Sequence, residues 1–87
     1  MKTKIFCDIA DYKTIKFFNS KSFVDGFTTN PSLMRLAGAK NYKNYSLKIL
    51  RICKNKPISF EVFADNPKDM LKQAYEINSW GKNVYVK

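Results

Sequence analysis

The chain has 87 residues, a net charge of +9 from 16 Lys+Arg against 7 Asp+Glu, and no histidine. That length suits one small domain, and a hydrophobic content of 45% excludes a disordered tail. The missing imidazole excludes Ser-His-Asp hydrolysis, Cys-His proteolysis and HExxH zinc chemistry, which leaves carboxylates, lysine, hydroxyls and thiols for any catalysis.

In chain order, residues 4–9 (KIFCDI) read as a buried strand. Asp11 offers an N-cap, and Tyr12, Ile15, Phe17 and Phe18 recur at helical spacing to about Asn19. Residues 23–28 (FVDGFT) predict a second strand. Pro31 then suits the first turn of a helix that Gly38 ends. From Asn41 to Asn55, Tyr42, Tyr45, Ile49, Ile52 and Cys53 fall on one helical face, and Pro57 stops that helix. Residues 58–64 (ISFEVFA) predict a third strand. Asp65-Asn66-Pro67 starts a helix whose buried stripe is Met70, Leu71, Ala74, Ile77 and Trp80, with Gly81 closing it. Residues 83–87 (NVYVK) predict a fourth strand.

The order β-α-β-α-α-β-α-β, with no linker-like shift in composition, predicts one unit over residues 1–87 with a parallel sheet, an α/β fold. The only glycines are Gly26, Gly38 and Gly81, so neither GxGxxG nor GxxxxGK[ST] is present. Cys7 and Cys53 sit in apolar stretches and read as small buried hydrophobes of a reducing compartment. Asp8 and Asp11 interrupt the N-terminal apolar run, so no secretory signal is read. No run approaches the roughly 18 apolar residues of a membrane span. A cytoplasmic protein with no membrane partner is expected.

Each predicted strand ends in a polar residue that core packing does not favour: Asp8, Thr28 with Asn30, Glu61, and Lys87. In a βα barrel the carboxyl ends of successive strands share one rim, where active sites are built. Singly, Asp8 reads equally as a turn or capping residue, Asn30 as a helix start and Lys87 as a surface charge. Glu61 resists such a reading, because it interrupts the apolar run Phe60-Val62-Phe63 and an unpaired buried carboxylate is costly.

Residues 26–34, G-F-T-T-N-P-S-L-M, resemble the first signature of the transaldolase family, with Phe27 as the one departure. K-I-F-C-D is similar to that family's first strand and its acid, S-F-E-V-F-A to the third, and N-V-Y-V-K to the fourth with its lysine. The resemblance implies parallel βα repeats forming the first four strands of a TIM (β/α)8 barrel, a half barrel. A whole barrel takes about 250 residues, so a truncated and incomplete enzyme is expected.

The implied activity is Schiff-base transfer of a dihydroxyacetone unit between sugar phosphates, in the pentose phosphate pathway. By resemblance Lys87 forms the Schiff base, Asp8 moves the proton of the C4 hydroxyl, and Glu61 acts on the C2 oxygen through a water. Asn30 and Thr28 hold hydroxyls of the donor, and neither a metal nor an organic cofactor is required. The chain is also similar to fructose-6-phosphate aldolases, which release free dihydroxyacetone; those usually carry Gln at the third-strand position, so Glu61 favours transfer.

Two readings of another class stay open. One is a basic module that binds nucleic acid through Tyr42, Lys43, Tyr45 and Lys48. The predominance of Lys over Arg, with only Arg35 and Arg51, disfavours it. The other is a non-catalytic fragment that assembles with a partner. Open edges on the first and fourth strands predict a homo-oligomer.

Overall fold

Asp11, Asn30, Asn41 and Asn66 stand in extended backbone, and each side chain accepts the N–H three residues on, from Thr14, Leu33, Asn44 and Asp69 at 2.8–3.0 Å. These four caps satisfy donors that a helix start leaves free. They open α1 (Tyr12–Asn19), α2 (Pro31–Leu36), α3 (Tyr42–Ile52) and α4 (Pro67–Asn78). After α2, Ala37 is the C-cap and Gly38 takes φ +95°, a left-handed conformation that glycine adopts without a Cβ penalty. The protein is described here from a computed structural model covering residues 4–87.

Four short strands alternate with the helices: β1 (Phe6–Asp8), β2 (Gly26–Thr28), β3 (Ile58–Phe60) and β4 (Val84–Val86). They form one parallel sheet in the order β1-β2-β3-β4. The element order is the one expected from the sequence, but each strand is shorter at its ends. Ile5, for example, lies before β1 and bonds both side chain and backbone of Asp25: its N–H donates to the Asp25 carboxylate at 2.6 Å and its C=O accepts the Asp25 N–H at 2.7 Å.

Cys7 pairs with Phe27, Phe27 with Ile58 and Ile58 with Val84, so these side chains share one face of the sheet. Ile15 of α1, Met34 of α2, Ile49 of α3 and Ile77 of α4 join Phe27, Ile58 and Phe60 in the buried core. Each such side chain contributes roughly 1.5–3 kcal/mol by leaving water. Phe27, the departure from the signature, is fully buried there. All four helices therefore cover one side of the sheet, in a molecule 19 Å across its thinnest axis.

In α4 the expected stripe holds only in part. Ile77 is buried and Ala74 and Trp80 are half-buried, but Met70 and Leu71 are exposed. The reason is position: α4 is the last helix in the row and packs on β4, with no further helix along its other flank among the described residues. No described helix is long and apolar enough to cross a membrane.

Candidate active site

The alternate residues of the strands point away from the helices. Asp8 pairs with Thr28, Thr28 with Ser59 and Ser59 with Tyr85, making one row across the bare face. Two residues further along, the Lys87 N–H donates to the Phe60 C=O (3.0 Å) and the Lys87 C=O accepts from Val62 N–H (3.1 Å). This parallel bonding pattern sets Lys87 beside Glu61 on the adjacent chain. Asp8 and Thr28 are the last residues of β1 and β2, whereas Glu61 and Lys87 directly follow β3 and β4. Strand alternation thus brings four of the five expected site residues to the helix-free face, near the carboxyl ends of the strands.

Asp8 and Thr28 touch: the Thr28 hydroxyl donates to Asp8 Oδ1 at 2.9 Å. With its proton committed, Thr28 can still accept from a ligand hydroxyl but cannot donate to it. This bond also fixes the direction of the Asp8 carboxylate. Asn30 stands apart, as the N-cap of α2 with its carboxamide oxygen taken by the Leu33 N–H at 2.8 Å. Its NH2 group has no hydrogen-bond partner among the described residues and remains available as a donor.

Glu61 is half-buried, and its backbone is held by Tyr42, which the sequence offered to a helical face and to nucleic acid but not to this site. The Tyr42 hydroxyl accepts from the Glu61 N–H and donates to the Glu61 C=O, both at 3.0 Å. Lys87 is exposed. The only ion pair among the described residues is the exposed Lys43–Glu76 contact at 3.1 Å, so Glu61 and Lys87 are neighbours without being a closed pair. In the row beneath, Ser59 is 9% exposed and its hydroxyl is buried without a partner. It lines a hollow of about 220 Å³ with Phe6, Thr28 and Tyr85. A larger hollow of about 600 Å³, lined in part by Asp11, Lys13, Lys40 and Lys48, lies against α1 and α3, away from this face. The chemistry-bearing residues mark the site better than cavity size does.

Several groups on the face suggested for nucleic acid have partners within the chain. The Tyr42 hydroxyl is engaged at Glu61, Tyr45 accepts the Tyr12 N–H at 2.9 Å, and Lys48 lies over the Tyr12 ring at 4.4 Å. Burial pushes the Tyr42 phenol up to about 12 and raises that of Tyr45. Cys53 is buried with its thiol pushed up by desolvation, and neither Cys7 nor Cys53 forms a disulfide.

A family model described as Transaldolase/Fructose-6-phosphate aldolase matches residues 5–87. The chain belongs to the transaldolase/fructose-6-phosphate aldolase family. It is 39% identical over 84 residues to a probable transaldolase of Dehalococcoides mccartyi, covering 97% of this chain and 39% of that protein. It is 41% identical over 86 residues to one of Methanococcus maripaludis (97% and 38% covered) and 37% over 84 residues to one of Herpetosiphon aurantiacus (97% and 37%). The chain spans about two fifths of the length of these relatives. The family's TIM barrel accords with a parallel sheet whose helices all lie on one side.

Proposed function

We propose that the chain is the N-terminal half barrel of a transaldolase, and that Lys87 is its Schiff-base lysine. The observation that carries this reading is the helix-free face: a parallel sheet is normally covered on both sides, yet here the bare side holds Asp8, Thr28, Glu61 and Lys87. The two-residue offset between the Asp8–Thr28 row and the Glu61–Lys87 pair has the character of the stagger that tilted barrel strands require.

In the proposed cycle the neutral Lys87 amine adds to the C2 carbonyl of a ketose phosphate and gives a carbinolamine. Glu61, through a water, delivers a proton to the departing C2 oxygen, and loss of water leaves an iminium. The iminium draws the electron pair of the C3–C4 bond as Asp8 takes the proton of the C4 hydroxyl. An aldose phosphate departs and an enamine remains on Lys87. Addition of that enamine to a second aldose phosphate and hydrolysis of the imine complete the transfer. The Asn30 NH2 group and the Thr28 oxygen hold hydroxyls of the three-carbon unit. No step calls for a metal or an organic cofactor.

This chemistry belongs to sugar-phosphate interconversion in the pentose phosphate pathway, and two free cysteines accord with a reducing cytoplasm. Self-association through the sheet edges is part of the proposal. Cleavage of fructose 6-phosphate to free dihydroxyacetone is the second reading; Glu61, in place of the Gln usual in the aldolases, favours transfer.

Borohydride trapping with fructose 6-phosphate tests the assignment. Residues 1–87 joined to the remaining strands of the Dehalococcoides relative should give a single adduct on Lys87, absent in Lys87→Met. An adduct on Lys4 or Lys56 would remove Lys87 from the role.

A further inference from the structure

Residues 61–64 follow β3, and their four backbone N–H groups find partners in α3, in the chain just after β4, and in α4. The Glu61 N–H goes to the Tyr42 hydroxyl of α3 (3.0 Å) and the Val62 N–H to the Lys87 C=O (3.1 Å). Those of Phe63 and Ala64 share Gln73 Oε1 of α4, at 2.7 and 3.2 Å.

Tyr42 is the member of this clamp that acts on Glu61 directly. A phenol has one proton to give and lone pairs to receive, and here both uses go to the backbone of one residue. Its ring is itself fixed edge-on to Phe63 (5.1 Å between centroids) and Phe60 (6.4 Å), and tilted against Trp80 (6.1 Å). The ring cannot swing away without breaking these contacts.

We propose that Tyr42 is a positioning residue for Glu61: by bridging the Glu61 amide and carbonyl it fixes the direction of the Glu61 side chain beside Lys87. The inference rests on Glu61 being the group that moves protons at the C2 oxygen. Such a group has to be held within about 0.5 Å and 10–20° of its working geometry. Both bonds of the Tyr42 hydroxyl go to the backbone of Glu61 and none to Lys87, so its effect passes through Glu61.

Two measurements on Tyr42→Phe, which keeps the ring and removes the hydroxyl, test this. In the 87-residue chain the Glu61 amide should exchange with solvent about five- to tenfold faster, the loss of one hydrogen bond, while the Phe27 and Ile58 amides change less than twofold. A uniform loosening of all amides, or an unchanged Glu61 amide, would overturn the clamp. In the trapping assay the rate of adduct formation on Lys87 should fall about tenfold at an unchanged half-saturating concentration of fructose 6-phosphate. An unaltered rate beside a deprotected Glu61 amide would remove the positioning role. If the unsubstituted protein trapped nothing, the Schiff-base reading would fall, and the exchange measurement alone would decide whether Tyr42 holds Glu61.

Discussion

Burial is the main reason the Tyr42 phenol is pushed from 10.0 up to about 12. The group is neutral when protonated, so a raised folded pKa stabilises the fold fully below the unfolded value near 10. That contribution is lost as pH rises toward 12. Urea midpoints measured across this range should fall less steeply for Tyr42→Phe than for the parent. In ultraviolet titration, the last of the five tyrosines to ionise should vanish in the same variant. At Glu61, replacement by Gln should lower three-carbon transfer relative to release of free dihydroxyacetone by fructose 6-phosphate in the fused protein. Equal ratios would show that the position does not set the preference. The places of Asp8, Thr28, Glu61 and Lys87 at the carboxyl ends of the strands were legible in the sequence because polar residues there break an apolar pattern, and that of Asn30 because it precedes Pro31 at a helix start. Tyr42 was not, because its bonds run to backbone atoms 19 residues away, and any residue at position 61 has the same backbone. It read as an aromatic on a helical face and as a candidate contact for nucleic acid.

At the scale of elements, the caps and the helix order follow from local chemistry that sequence records well: Asx before Pro, apolar spacing, Gly after a helix. Strand ends are less legible, because residues 61–64 and Ile5 trade ladder bonds for partners distant in sequence. Met70 and Leu71 carry helical periodicity but lie outside the core, since periodicity marks a face without showing how much of it a neighbour covers. β2 carries a sharper constraint. A Cβ on Gly26 would stand 2.6 Å from the Pro57 carbonyl oxygen and 2.7 Å from the Phe6 ring. The phenylalanine can rotate, but the backbone oxygen belongs to the β2–β3 contact, where Phe27 N–H meets it at 2.9 Å. Gly26→Ala should therefore cost about 1–3 kcal/mol, the range for forced overpacking, read as a lower urea midpoint at unchanged slope. A neutral effect would mean that β2 and β3 can separate without loss.

Across the whole molecule, exposed apolar side chains include several on or beside the two outer strands. Ile5 (46%), Phe6 (47%) and Phe17 (57%) stand at the β1 side, and Leu71 (59%), Tyr75 (70%) and Tyr85 (62%) at the β4 side. Among the described residues, both outer strands also leave one row of backbone groups without a strand partner. A net charge of +9 opposes contact between copies, but its effect is screened within about 8 Å at physiological salt. The 87-residue chain should sediment as a dimer or larger species at micromolar concentration. Leu71→Lys combined with Tyr75→Lys should shift it toward monomer, because both residues are exposed and the core does not use them. A compact monomer of the unsubstituted chain would count against self-association.

The bonding of residues 61–64 has a consequence for motion. A lid needs slack, meaning backbone groups that exchange partners with water as the chain swings. Here α3, β4 and α4 each hold one end or the middle of the segment. The Glu61 arm of the site is thus a fixed post and not a flap. In the proposed cycle this segment would therefore not close over an iminium to shield it from water, and it should keep one conformation whether or not substrate is bound.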